Sequence, residues 1–152
     1  MDQPFSCRSS ARVDADHGAQ SGDVSPISEE TIRRLVDTFY VKVRADSELG
    51  PIFDRAIAGE WDTHLATMCD FWSSVMLTSG RYKGNPVAVH HQVAGIEERL
   101  FDRWLTLFAL TCGELFDEPV AAAFNAKAVR IAESLKLSLY YRPDRHWPIG
   151  AA

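Results

Sequence analysis

Two histidines offer the most chemistry. His64 and His90 each fall on or beside the apolar face of a helical stretch, and the loop between those stretches carries Gly80 and Gly84. Such a loop lets the short segment with His90 fold back against the longer helix with His64. Two facing helices would then each aim an imidazole at a common slot, which suits a flat ligand with a metal at its centre. Neutral imidazole is a strong iron ligand, and a single axial histidine can hold such a group. The same spacing also fits two packed core histidines, and spacing alone does not separate the readings. His91 adds a second ambiguity. Adjacent helical residues point about 100° apart, so only one of His90 and His91 can face the slot. His90 shares a stripe with Val87 and Ala94, while Val89 and Val93 flank His91 by a small margin less convincingly.

Tyr40 and Trp104 are the other polar groups on buried faces. Each has a plain reading as packing. A buried indole N–H nevertheless needs an acceptor, and an oxygen of a bound ligand would be one. Glu60, four residues before His64, reads as solvated. Other chemistries lack their motifs. No Glu-x-x-His pair of the di-iron bundles is present, because Trp61, Val87 and Ala88 stand three residues before His64, His90 and His91. There is no HExxH, GxSxG, GxxxxGK[ST] or GxGxxG. Cys7, Cys69 and Cys112 are odd in number and widely spaced, which suggests reduced thiols and no disulfide framework. Without a CxxCH, any haem would be held by coordination and packing alone.

The elements that must position these groups are helical. Of 152 residues, 46% are hydrophobic and 24% charged, enough apolar content for one domain with a real core. The net charge of −5, with no dense Lys/Arg cluster, offers nothing to nucleic acid or an anionic membrane. No stretch approaches the ~20 apolar residues of a membrane span. The N-terminus does not read as a secretory leader, and a cytoplasmic location is expected.

Residues 1–27 are rich in Ser, Asp, Ala, Gly and Gln and read as a disordered tail. Residues 143–152 read as a short irregular tail carrying Trp147, so the folded unit is expected over 28–142. Within it, Ser28 is a good N-cap, and Ile32, Leu35, Val36, Phe39, Tyr40 and Val43 form one buried stripe. That helix should stop before Gly50-Pro51. A second long helix is expected over Trp61–Thr78, and a short one after the N-cap Asn85 with Pro86 at its first position. A third long helix spans about Glu97–Phe116, and a fourth restarts after Asp117-Glu118-Pro119. The fold class is all-α, with four main helices and one short one.

In order along the chain, Leu35–Arg44, Leu49–Phe53, Trp61–His64 with Phe71-Trp72, Tyr82–His90 and Phe101–Phe108 resemble the segments of the group III truncated haemoglobins. The resemblance runs from about Ile32 to Tyr140. It implies a truncated globin-like two-over-two helical sandwich enclosing haem b (iron protoporphyrin IX). His90 matches the proximal iron ligand, and Tyr40, His64 and Trp104 match the distal polar residues. Phe53, Met68 and Phe101 fall at apolar pocket positions. Arg81 and Lys83, in the loop before the proximal helix, are candidate partners for the haem propionates. The segment Gln92–Glu98 lacks the proline usual there, and the long N-terminal extension departs from most relatives.

Reversible binding of O2 or another diatomic gas (NO, CO) at a pentacoordinate, histidine-ligated iron is the function this resemblance implies. Tyr40 and Trp104 would donate to the partly negative ligand. The alternative is a haem enzyme that oxidises NO or handles peroxide or oxygen with an external reductase. A helical interaction module with core histidines is the non-haem alternative.

Overall fold

The computed structural model describes residues 27–141. The tails expected at the two ends fall outside this range, except for Ile27, which packs against the core. An apolar residue just before an N-cap commonly fixes the chain's entry to a helix, so Ile27 belongs to the folded unit and not to the tail.

The described residues form six helices and no strand. Helix α1 covers Glu29–Ala45. The Ser28 side chain accepts from the Thr31 N–H at 3.2 Å, and the Ser28 N–H donates to Thr31 Oγ1 at 2.8 Å. This reciprocal cap satisfies two of the donors that every helix start leaves open. The buried residues of α1 are the six of the expected stripe.

Helix α2, Leu49–Ile57, is an addition to the sequence reading. The Asp46 carboxylate accepts from the N–H groups of Glu48 and Leu49 at 3.0 and 2.9 Å and so caps its start. Pro51 lies in the first turn, where its missing N–H removes no helical bond. Gly50-Pro51 therefore opens a helix as well as following one. A Cβ on Gly50 would stand 2.7 Å from the Arg44 carbonyl oxygen, so the tight reversal between α1 and α2 requires glycine.

Helix α3 spans Trp61–Leu77 and ends on Thr78 in the left-handed region. The short α4, Pro86–His91, starts on Asn85, whose side chain accepts from the Ala88 N–H at 3.2 Å. A turn with Gly95 at φ +80° leads to α5, Glu98–Leu115. Helix α6, Glu118–Tyr140, carries Pro119 in its first turn.

Helices α1 and α3 pack as one pair and α5 and α6 as the other, with α1 crossing onto α5 and α4 lying against α6. Two helices thus lie over two. A column of rings joins the layers. Trp72 stacks on Phe108 (5.0 Å, 15°), which stacks in turn on Trp104 (5.0 Å, 9°). Phe39 meets Trp104 edge-on at 5.0 Å. Each such pair contributes about 0.5–1.5 kcal/mol beyond its buried area, so Trp104 is held by the stacked Phe108 and by an edge contact with Phe39. No helix among the described residues is long and apolar enough to cross a membrane.

Candidate functional site

A cavity of about 310 Å³ opens between the layers, and all six helices contribute to its walls. Tyr40, Phe53, His64 and Met68 line it from α1, α2 and α3. His90, Phe101 and Trp104 line it from α4 and α5, and the inner stripe of α6 closes it with Ala128, Ile131 and Leu135. The lining is overwhelmingly apolar. Seven of the sequence-predicted residues therefore converge on one space.

His90 is set by its own helix. Its Nδ1 lies 2.6 Å from the Pro86 carbonyl oxygen, one turn earlier. A carbonyl oxygen only accepts, so Nδ1 carries the hydrogen and the lone pair of the neutral ring is on Nε2. His91 is exposed and takes no part in the cavity wall. The short helix, rigidly started by Asn85 and Pro86, is what turns one ring in and the other out. Phe101 lies 6.2 Å from the His90 ring, tilted by 31°, and limits its movement.

His64 sits in a cage of rings. Tyr40 is edge-on at 5.0 Å, Trp61 at 5.8 Å and Phe53 at 6.2 Å. Burial pushes its pKa down to about 4, because a charged imidazole in this cage loses its hydration. The ring is neutral at neutral pH. Its Nε2 is buried and has no hydrogen-bond partner. An orphaned polar nitrogen in a cavity wall marks a place where a bound group supplies the missing contact.

Tyr40 and Trp104 were each expected to face a ligand, and in the structure they also meet each other. Burial raises the Tyr40 pKa, and a side-chain hydrogen bond from Trp104 opposes the rise. The indole has only a donor, whereas the phenol hydroxyl both donates and accepts, and both residues line the cavity.

Arg81 and Lys83 are not among the lining residues. Arg81 reaches instead to Glu29, with Nη1 3.3 Å from the carboxylate. The residue between them, Tyr82, does line the cavity and packs edge-on against Phe71 at 5.2 Å. This loop is anchored at a buried serine. Ser73 Oγ donates to Glu29 at 2.5 Å and lies 2.7 Å from Ser79 Oγ, while Ser74 Oγ accepts from the Tyr82 N–H at 2.9 Å. The start of α1 and the end of α3 thus hold the segment that leads to His90.

Several wall residues escaped the sequence reading. Trp72 and Trp61 are not among the residues expected in the site, yet the first lines the cavity and the second cages His64. Leu49 and Ile52 come from the unassigned α2, and Val93 and Ile96 from the turn after α4.

Among the described residues no three His, Cys, Asp or Glu side chains converge to hold a metal ion. A metal here has to arrive in a ligand that brings most of its own donors. A flat, apolar, iron-bearing group fits the residues present: the His90 imidazole with its Nδ1 held by a carbonyl, an unpartnered imidazole nitrogen at His64, and apolar walls.

Comparison with known proteins agrees. A family model described as bacterial-like globin matches residues 28–124. The chain belongs to the bacterial-like globins, a haem-binding family. Within it, the chain falls with the group III truncated haemoglobins. It is 34% identical over 117 residues to the group 3 truncated hemoglobin ctb of Campylobacter jejuni, covering 75% of this chain and 92% of that protein. The crystal structure of a group III truncated hemoglobin from Campylobacter jejuni superposes with a TM-score of 0.73 at 34% identity, covering 76% of this chain and 94% of the other. The all-α, two-over-two architecture is thus that of the solved relative.

Proposed function

We propose that this chain holds haem b through His90 and binds a diatomic gas, O2 foremost, on the side of the cavity that carries Tyr40, His64 and Trp104. The observation that carries the reading is the His90 Nδ1 contact with the Pro86 carbonyl, which presents Nε2 as a free donor in an apolar cavity. A second hydrogen bond of this kind on a ligating imidazole fixes its tautomer and raises its basicity. When bound, the haem supplies an iron centre with an open position for the gas. The chain supplies the rest. Apolar side chains from all six helices exclude water. Tyr40, aimed by the indole of Trp104, donates its O–H toward the negative charge that a bound gas acquires. The neutral, caged His64 stands beside it, and its size narrows the approach.

Absorption spectra of the haem-loaded chain, taken oxidised, reduced and with CO, test the reading. The expected result is a Soret band that moves on reduction and again on CO addition, and that weakens or vanishes in His90→Gly. A folded chain that takes up no haem overturns the proposal. Measuring NO consumption by the O2-loaded protein, with an external reductant, distinguishes carriage from turnover.

A further inference from the structure

Resting on the haem reading, we propose that the exposed face of α4, at the mouth of the cavity, is where an acidic electron-transfer protein docks to return the iron to its reduced state. Val89 is 56% exposed and also lines the cavity. The cavity therefore reaches the surface at α4, beside His90 in sequence. Ala56 of α2 is likewise both exposed and lining. A protein seated over Val89 comes within one side chain of the bound group, and no helix has to move.

The charge around this opening differs from that of the whole chain. The sequence carries 21 acidic residues against 16 basic ones, yet it has no Asp or Glu between Asp70 and Glu97, its longest interval without one. That interval supplies the end of α3, the loop, all of α4 and the turn after it. Its exposed residues include Lys83, Ala88, His91 and Gln92. Lys83 has no carboxylate partner among the described residues. Arg55 brings a second cation from α2, with Nη2 3.3 Å from the point where a Cβ on Gly95 would lie. An acidic partner is repelled over most of this chain and admitted here, so the field favours the orientation that brings the two redox groups close. Two separate cations are too few to hold a nucleic acid or a membrane surface. A second copy paired two-fold on this face would set Lys83 and Arg55 against their own images. A one-electron encounter needs only a small interface, below about 1,200 Å². The step balances as the passage of one electron. The donor's redox group is oxidised by one electron, ferric iron becomes ferrous, and no bond or proton moves.

The test uses the full, haem-loaded ferric chain under CO, with an acidic flavodoxin in its hydroquinone form as the probe. Formation of the CO complex is followed at the Soret band as the donor concentration rises. The native rate is expected to be second order and to fall with added salt. Lys83→Glu and Ala88→Glu, both at exposed positions, are each expected to slow it about tenfold at low ionic strength, the scale of electrostatic steering. Arg130→Glu, exposed on α6, makes the same change in net charge as Lys83→Glu and is expected to leave the rate within about twofold. Reduction by a small neutral deazaflavin radical should be equally fast in every chain. A carbodiimide should also couple Lys83 to a flavodoxin carboxylate, which mass spectrometry reads independently of the iron. Equal slowing in all three variants, no slowing in any, slowing with the deazaflavin radical as well, or coupling of Lys83 to a second copy of this chain overturns the docking face and leaves the haem reading intact. A native chain that takes up no haem overturns the haem reading itself.

Discussion

The rings of Tyr40 and His64 meet edge to face, with centroids 5.0 Å apart and planes at 87°. The contact belongs to the tyrosine ring and not to its hydroxyl. Tyr40→Phe therefore keeps the cage around His64 and removes only the donor. A hydrogen bond to a charged or partly charged group contributes about 1.5–3 kcal/mol, so O2 release from the reduced, haem-loaded variant is expected to be about tenfold to a hundredfold faster. Stopped-flow measurement reads this directly. An unchanged rate removes the Tyr40 hydroxyl from the mechanism. Trp104→Phe should give a smaller acceleration, because Tyr40 keeps its O–H and loses only the group that aims it.

His90→Gly takes the imidazole whose Nδ1 is held by the Pro86 carbonyl out of the cavity and leaves α4 with its Asn85 cap. Haem affinity is expected to fall steeply. Free imidazole, small enough to enter the vacated space, should restore the reduced-state spectrum. Titration at the Soret band measures this. His91→Gly, on an exposed side chain, should leave the spectrum unaltered. If the two variants behave alike, the axial assignment fails.

Asp46 supports a pH prediction. A hydrogen bond from Arg103 holds its pKa down to about 2, aided by the N–H groups of Leu49 and Glu48 against the effect of burial. The folded value lies below the unfolded one, so the stabilisation is complete above about pH 4 and is lost as pH falls toward 2. Discounted for the half-exposed Arg103, the contribution is about 1–2 kcal/mol. Asp46→Asn should lower stability by that amount at pH 7 and by much less near pH 2, as read by denaturant titration at the two pH values. An equal loss at both would assign the effect to the helix cap and not to the charge.

Ser73 tests the anchor of the proximal loop. The residue is wholly buried, and its hydroxyl joins Glu29 to Ser79. Ser73→Ala leaves the partners without their contact at a cost of roughly 1–3 kcal/mol. It should also speed haem loss, because the loop that delivers His90 is tied down there. Thermal unfolding and the haem-transfer assay check the two effects. Loss of stability with unaltered haem retention would confine Ser73 to a structural role.

Much of this protein was legible one helix at a time. The stripe of α1, the Ser28 and Asn85 caps and the restart at Pro119 depend on residues within a turn or two of each other, so periodicity and capping chemistry reveal them directly. Six of the nine proposed site residues sit on helices legible in the sequence and line the cavity, since a residue on a helix's apolar face turns inward wherever that helix packs; Phe53, on α2, came from the family resemblance alone. Helix α2 was missed because nine residues are too few for a 3.6-residue period to stand out, and because its cap, Asp46, precedes a Gly-Pro pair that reads as a stop.

What the tertiary structure alone decided is which partner each inward or rim side chain meets. It turned His90 in and His91 out, left the His64 Nε2 without a partner and drew Arg81 off to Glu29. Each choice joins groups from different helices or sets one helix's rotation to within less than the 100° between neighbours. Local pattern determines which face is buried. The partner found there follows from how the helices cross, and long polar side chains reach whichever opposite group that crossing brings near.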